Sequence, residues 1–162
     1  EGNYVSTWGE KGTPPNEIRP NYMNNVHGIA VNAETRMVYV NDRANNRVQV
    51  FDENGVYQDE WSFGPEPTDI HLIYIGADNV LWAADRATTK ILGYTLDGTL
   101  IYSWGVFGDF AGAQWGVHGL SVDQEGNFYI AEVGNGRTQK YTPRAGARPE
   151  TMLGKPVYSA WE

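Results

Sequence analysis

The chain contains no cysteine, which excludes disulfides, thiolate metal centres and cysteine nucleophiles and leaves the redox compartment open. It has 3 His, so any imidazole chemistry must come from a very short list. Basic residues are also scarce: 12 Lys and Arg stand against 20 Asp and Glu, for a net charge of −8 and a pI of about 4.8. Contacts to phosphate need clustered Lys and Arg, so this balance disfavours binding to nucleic acid or to an anionic membrane surface. No stretch approaches the ~18 consecutive apolar residues of a membrane span. No Ser-His-Asp arrangement, phosphate-binding glycine loop or EF-hand loop is present. No secretory leader is visible, although a start at Glu1 rather than Met leaves room for one that has been removed.

What the chain does have is aromatic residues and turn-formers. Among 162 residues are 6 Trp, 10 Tyr, 19 Gly and 8 Pro, a composition suited to many short strands joined by many turns. The stretch from Val26 to Gly64 reads as four strands: HGIAVN, RMVYVND, RVQVFD and VYQDEWSFG. Each is rich in β-branched or aromatic residues and bounded by Asn, Asp, Gly or charged residues. Asn54-Gly55 favours positive φ at both central positions and predicts a tight two-residue hairpin between the third and fourth strands. The pattern recurs from Ile70 to Gly105 as DIHLIYIG, NVLWAADR, KILGYTLD and TLIYSWG, and again from Val117 as VHGLSVD, NFYIAEV and RTQKYTP. Asp42-Arg43, Asp85-Arg86 and Glu132-Val133 correspond, as do Phe51, Tyr94 and Tyr141, and as do Trp61 and Trp104. The interval is about 43 to 47 residues, within the roughly 40–50 expected of one propeller blade.

A four-stranded sheet with two apolar faces cannot bury both alone, so the repeats are expected to stack. The predicted fold is all-β: a single β-propeller segment over residues 1–162 with about three four-stranded antiparallel blades, at 26–64, 69–105 and 117–142. Residues 1–9, EGNYVSTWG, match the fourth strand of a blade whose first three strands are missing. Residues 10–25 form a polar, Pro-rich loop, and residues 106–116 an aromatic, Gly-rich one; both are expected on a binding face. The tail 143–162 carries no repeat, and its PVYSAW is open to an edge-strand or a packing role. Three blades cannot close a ring, since rings need about four to eight. Two copies would give six, with Tyr4–Trp8 of one completing the third blade of the other in a C2 homodimer; the alternative is half of a longer propeller.

His27 and His118 each begin an innermost strand in a V-H-G-[IL] step, and those strand starts converge on one mouth of a propeller channel. Both are candidate ligands for zinc or another borderline metal, or repeat-encoded hydrogen-bonding residues. Thr68 takes that place in the second blade. His71 aligns instead with Ala30 and Ser121, as a packed inter-blade residue. Arg43 and Arg86 end the second strand of their blades and are candidates to fork a carboxylate or phosphate at the mouth, or to pair with Asp42, Asp85 or Asp69. Glu132, in place of the blade Asp, reads as a buried acceptor or a site residue. Tyr22 and Trp115 supply apolar contacts for a small-molecule or peptide ligand.

The run HGIAV…VYVNDRANNRVQVFDENG resembles the NHL-repeat family of six-bladed propellers, of which this chain would be about half. The resemblance is closest to the peptidyl-α-hydroxyglycine α-amidating lyase branch and its bacterial relatives, and it extends from Gly2 to about Thr142. It implies an extracytoplasmic protein and a zinc site held by three His, one per alternate blade, in P-H-x-[LI] steps. His27 and His118 match two of the three, with Val26 and Val117 in place of the Pro. It implies a catalytic role for Arg43, whose NDRANNR run matches the active-site arginine, as partner of a substrate carboxylate during cleavage of a carbinolamide C–N bond. The third His and the base would lie in blades that this chain does not contain. Gly119 stands where the lyase has an acidic residue at its structural calcium, which makes calcium doubtful. The alternative expectation is a ligand- or protein-binding propeller without catalysis.

Overall fold

The computed structural model describes residues 2–13, 15–64, 68–76, 79–123, 127–142 and 144. Thirteen strands follow in order: β1 Glu10–Lys11, β2 Tyr22–Met23, β3 Val26–Val31, β4 Val38–Asp42, β5 Arg47–Phe51, β6 Tyr57–Ser62, β7 Ile70–Ile75, β8 Leu81–Asp85, β9 Lys90–Tyr94, β10 Leu100–Trp104, β11 Val117–Val122, β12 Phe128–Glu132 and β13 Arg137–Tyr141. They form three antiparallel meanders, β3-β4-β5-β6, β7-β8-β9-β10 and β11-β12-β13, together with a small parallel pair β1-β2. These are three successive propeller blades. The third has three strands among the described residues, and the expected PVYSAW element lies outside them. No helix among the described residues is long and apolar enough to cross a membrane.

The stacking follows from the two-faced sheets. Every residue of β4 and β8 is buried, as a middle strand with a neighbour on each side requires. Val48, Val50, Leu81, Ala83 and Tyr94 fill the seam between blades one and two. Trp82, Ile91, Val117, Phe128 and Ile130 fill the next. Each seam carries a tryptophan from the outer strand of the earlier blade. Trp61 lies on Tyr94 and donates from Nε1 to the Leu96 carbonyl at 3.1 Å, and Trp104 lies on Tyr141.

Residues 2–9 form no strand in this structure, which corrects the expectation of a fourth strand there. Trp8 nonetheless packs with Met23 and Tyr57 on Val38, Val40 and Phe51, the far face of blade one. The Asn54-Gly55 turn also differs from the expected two-residue hairpin. Gly55 alone takes positive φ, at 82°. Its N–H donates to the Asp52 carbonyl, and the Asp52 carboxylate accepts from the N–H groups of Asn54 and Val56. The side chain of Asp52 closes the turn, and the extra residue is absorbed by a register shift between Val50 and Phe51.

Asp42, Asp85 and Glu132 are buried and end the second strand of each blade. Each accepts a backbone N–H from the segment leading into its blade: Asn24 at 2.7 Å, Asp69 at 2.8 Å and Trp115 at 2.9 Å. Glu132 is therefore a structural acceptor. Burial alone would raise its pKa, but the Trp115 N–H and the side chains of Asn135, Gln139 and Arg137 bring it below the ordinary glutamate value.

Candidate metal centre at the mouth of the propeller axis

The innermost strands β3, β7 and β11 lie side by side, with β7 touching both of the others. Each carries a bulge at its second residue. The pairing registers run from Val26 to Gly28, from Ile70 to Leu72 and from Val117 to Gly119, skipping His27, His71 and His118. A bulged residue leaves the ladder and its side chain is re-aimed. All three imidazoles are brought together by this repeated device. Ring centroids are 4.6 Å apart for His27 and His71, 4.4 Å for His71 and His118, and 5.7 Å for His27 and His118. One ring nitrogen from each lies within 4.8 Å of the other two.

The register corrects the sequence alignment of blade two. Ile70 faces Asp85 as Val26 faces Asp42, so His71, not Thr68, is the counterpart of His27 and His118. The V-H-G step misled because Leu72 replaces the glycine. Measured back from the blade acid, the three histidines recur at nearly the same distance, and that spacing was the available signal. Thr68 instead donates its hydroxyl to the side chain of Asn46.

His71 is 5% exposed. Its Nε2 lies 3.2 Å from Asp69 Oδ2, whereas its Nδ1 is buried with no hydrogen-bond partner. A carboxylate accepting from Nε2–H leaves the Nδ1 lone pair uncommitted, which is how a carboxylate behind a ligating histidine fixes its tautomer. Burial lowers the pKa of His71, opposed by Asp69 and assisted by Arg43. That direction favours the neutral imidazole, the form that a metal requires.

Asp69 gathers the charges around this histidine. It accepts from Arg43 Nε at 2.6 Å and lies 3.5 Å from Arg86 Nη1. Burial would raise its pKa, but the hydrogen bonds from Arg43 and His71 bring it below the ordinary aspartate value. Both arginines thus select Asp69 from the three acids the sequence offered. Arg86 and Trp115 line one groove at the mouth, and Tyr22 does not. The Tyr22 ring lies under the Arg19 guanidinium, and its carbonyl accepts from Arg47 and Gln49.

Sequence reasoning missed what orders the two long loops. Arg47 and Gln49 bond Ile18, Asn21 and Tyr22 of the loop before blade one. Arg137 and Gln139 do the same for Asp109, Phe110, Gly112 and Ala113 before blade three. The R-V-Q and R-T-Q steps were the legible sign. Blade two has Lys90 and Leu92 at these places, and the link leading into it is short.

No family model and no curated protein sequence matches the chain. Solved structures do, at the level of fold. Virginiamycin B lyase from Staphylococcus aureus aligns with a TM-score of 0.52 and 17% identity, over 72% of this chain and 41% of that one. A streptogramin B lyase aligns at 0.55 and 18%, over 76% and 42%. A luciferin-regenerating enzyme aligns at 0.56 and 13%, over 71% and 39%. The chain is a β-propeller segment, and it spans less than half the length of these neighbours.

Proposed function

We propose that this segment forms the mouth of a metal-dependent propeller lyase, with zinc bound by His27, His71 and His118. The observation that carries the reading is the buried, unpartnered Nδ1 of His71 beside two more accessible imidazoles. Three borderline nitrogen donors with open surroundings suit a catalytic zinc, which keeps a position for substrate. Metal–nitrogen distances of about 2.0–2.1 Å ask the three rings to draw slightly closer by side-chain rotation.

When bound, the zinc would act as a Lewis acid on a substrate oxygen at the mouth. Asp69 holds His71 in its metal-ready tautomer, and Arg43 holds Asp69. Arg43 is then a positioning residue, and its expected contact with a substrate carboxylate would require it to leave Asp69. A lyase is favoured over other metal enzymes by the amidating-lyase resemblance, and lyases occur among the structural neighbours. One of these is a catalytically inactive histidine-to-alanine variant of virginiamycin B lyase solved with quinupristin. In the amidating lyase the ligands come from alternate blades, whereas here they come from three consecutive ones, so the substrate need not be a carbinolamide.

The test is zinc stoichiometry after chelation and reloading. One zinc per chain is expected, falling to a small fraction in His27→Ala and in His118→Ala, whose more accessible side chains should be removable without unfolding. Unchanged zinc content in both variants would overturn the site. If zinc binds and no lyase activity appears in a closed ring that carries this segment, the non-catalytic binding propeller is the correct reading.

The placement of Trp8 favours a second reading, of assembly. Trp8 occupies the seam position of an outer-strand tryptophan although its segment has no strand partners, and β13 has no fourth strand beside it among the described residues. Two copies exchanging residues 4–8 would complete a six-bladed ring. Light scattering should then give about twice 18.1 kDa, and a monomer would exclude it.

A further inference from the structure

Beside Asp69, the partner of His71, a groove of about 280 Å³ opens between blades two and three. Blade two contributes Asp69, Arg86 and Thr89 to its lining, and the third blade with the loop before it contributes Phe107, Trp115 and the Val133-Gly134 turn. We infer that this groove binds a small carboxylic acid carried on an aromatic ring, with the carboxylate on Arg86 and the ring against Phe107 and Trp115. The inference deepens the proposed function by naming a ligand class for the same mouth, but it does not require the metal.

Three observations carry it. First, Arg86 is 51% exposed on its side chain, and its contact to Asp69 is long, at 3.5 Å. The same carboxylate is already committed to Arg43 at 2.6 Å and to His71. Asp69 is thus shared among three partners, and Arg86 is its most distant and most exposed one. Most of the planar fork of Arg86 is open to a carboxylate.

Second, the aromatic wall is large and exposed. Trp115 is 47% and Phe107 64% exposed, with ring centroids 5.8 Å apart in an edge-to-face arrangement. Two such rings in water mark a contact surface.

Third, the wall is built in place before any ligand arrives. The Trp115 N–H donates to buried Glu132, its carbonyl accepts from Gly134 N–H at 3.2 Å, and the Gly116 carbonyl accepts from Val133 N–H at 2.9 Å. A Cβ on Gly134 would lie 2.6 Å from the indole, so the glycine allows the ring to rest on the turn. A wall fixed in this way loses little entropy on binding. The volume lies near the lower end of the roughly 300–1,000 Å³ of small-ligand pockets, which suits one ring with a short acidic arm.

The experiment is calorimetric titration of the intact chain with 3-phenylpropionate and with its neutral amide, in chelator and after zinc loading. Saturable binding of the acid at one per chain is expected under both conditions, with the amide at least tenfold weaker. Arg86→Gln and Trp115→Ala, titrated in chelator, should each weaken the acid tenfold or more while circular dichroism stays unchanged. Absence of saturable binding, equal affinity for acid and amide, or unaltered binding by Arg86→Gln would overturn the inference. Binding that persists where zinc stoichiometry fails would remove the metal reading alone.

Discussion

Trp8 lies over Phe51 with ring centroids 6.2 Å apart, in the relation that Trp61 bears to Tyr94 at 5.5 Å and Trp104 to Tyr141 at 5.0 Å. The N-terminal segment therefore closes the far face of blade one as a preceding blade would, using a single side chain. A Cβ on Gly55 would come within 2.7 Å of the Trp8 ring, as one on Gly98 would with Trp61. The turn glycines are part of the repeat because each receives an indole.

Trp8→Ala should destabilise the fold by about 1–3 kcal/mol, the range for losing a half-buried aromatic contact. Urea denaturation with an unchanged m-value would check it. A chain unaffected by the change would show that residues 2–9 do not cap the blade in solution.

Trp82→Ala removes a fully buried ring that meets Tyr102 and Phe128 edge to face. The expected cost is about 3–5 kcal/mol, from lost transfer energy and the cavity left behind. Chemical denaturation should show the midpoint falling more than for any exposed-tryptophan variant.

Much of this architecture was legible in the sequence. The strand runs, the acids at Asp42, Asp85 and Glu132 and the aromatics at Phe51, Tyr94 and Tyr141 all sit in the predicted register, because burial on both faces leaves few residue types acceptable there. The equivalence of His71 was hidden. A bulge inserts one residue without a strong composition signal, and the Leu72 that follows broke the V-H-G pattern. Which acid would hold Arg43 and Arg86 was equally hidden, since Asp69 reaches Arg43 across the seam between blades one and two and reaches Arg86 through the pairing of β7 with β8.

Asp69→Asn should weaken zinc binding by about 10–100-fold, the usual effect of removing a carboxylate that orients a ligating histidine. The global fold should survive, since Asp69 is only partly buried. A competition assay with a chromophoric chelator reads the affinity. Arg43→Met, which frees Asp69 from its strongest partner, should give a smaller loss in the same assay, and equal zinc affinity in both variants and the parent would contradict the role assigned to Asp69.

Glu132 makes acid stability predictable in sign. Its pKa in the folded chain lies below the ordinary value of 4.5, so the unfolded chain binds a proton more readily. Its contribution is fully present above that value and is lost as pH falls through the folded pKa. Thermal midpoints should fall as pH drops below about 5, with a shallower fall over that range in Glu132→Gln. An identical acid profile in the two proteins would rule out Glu132 as a source of the slope.

Gly28 follows His27 on β3 and faces the neighbouring blade. A Cβ there would stand 3.1 Å from the Ile73 backbone nitrogen and 3.3 Å from the His71 carbonyl. That one absent methyl group acts as a gauge block between blades one and two at the axis, and it sets how far apart the first two imidazoles stand. At Gly119 the same test meets only the Ala131 Cβ at 3.8 Å, so the third blade makes no such close approach at this position. Of the three imidazoles, those of His27 and His71 are thus the pair whose spacing depends on a missing side chain, and a Gly28→Ala change would read out first as a separation of blades one and two at the axis.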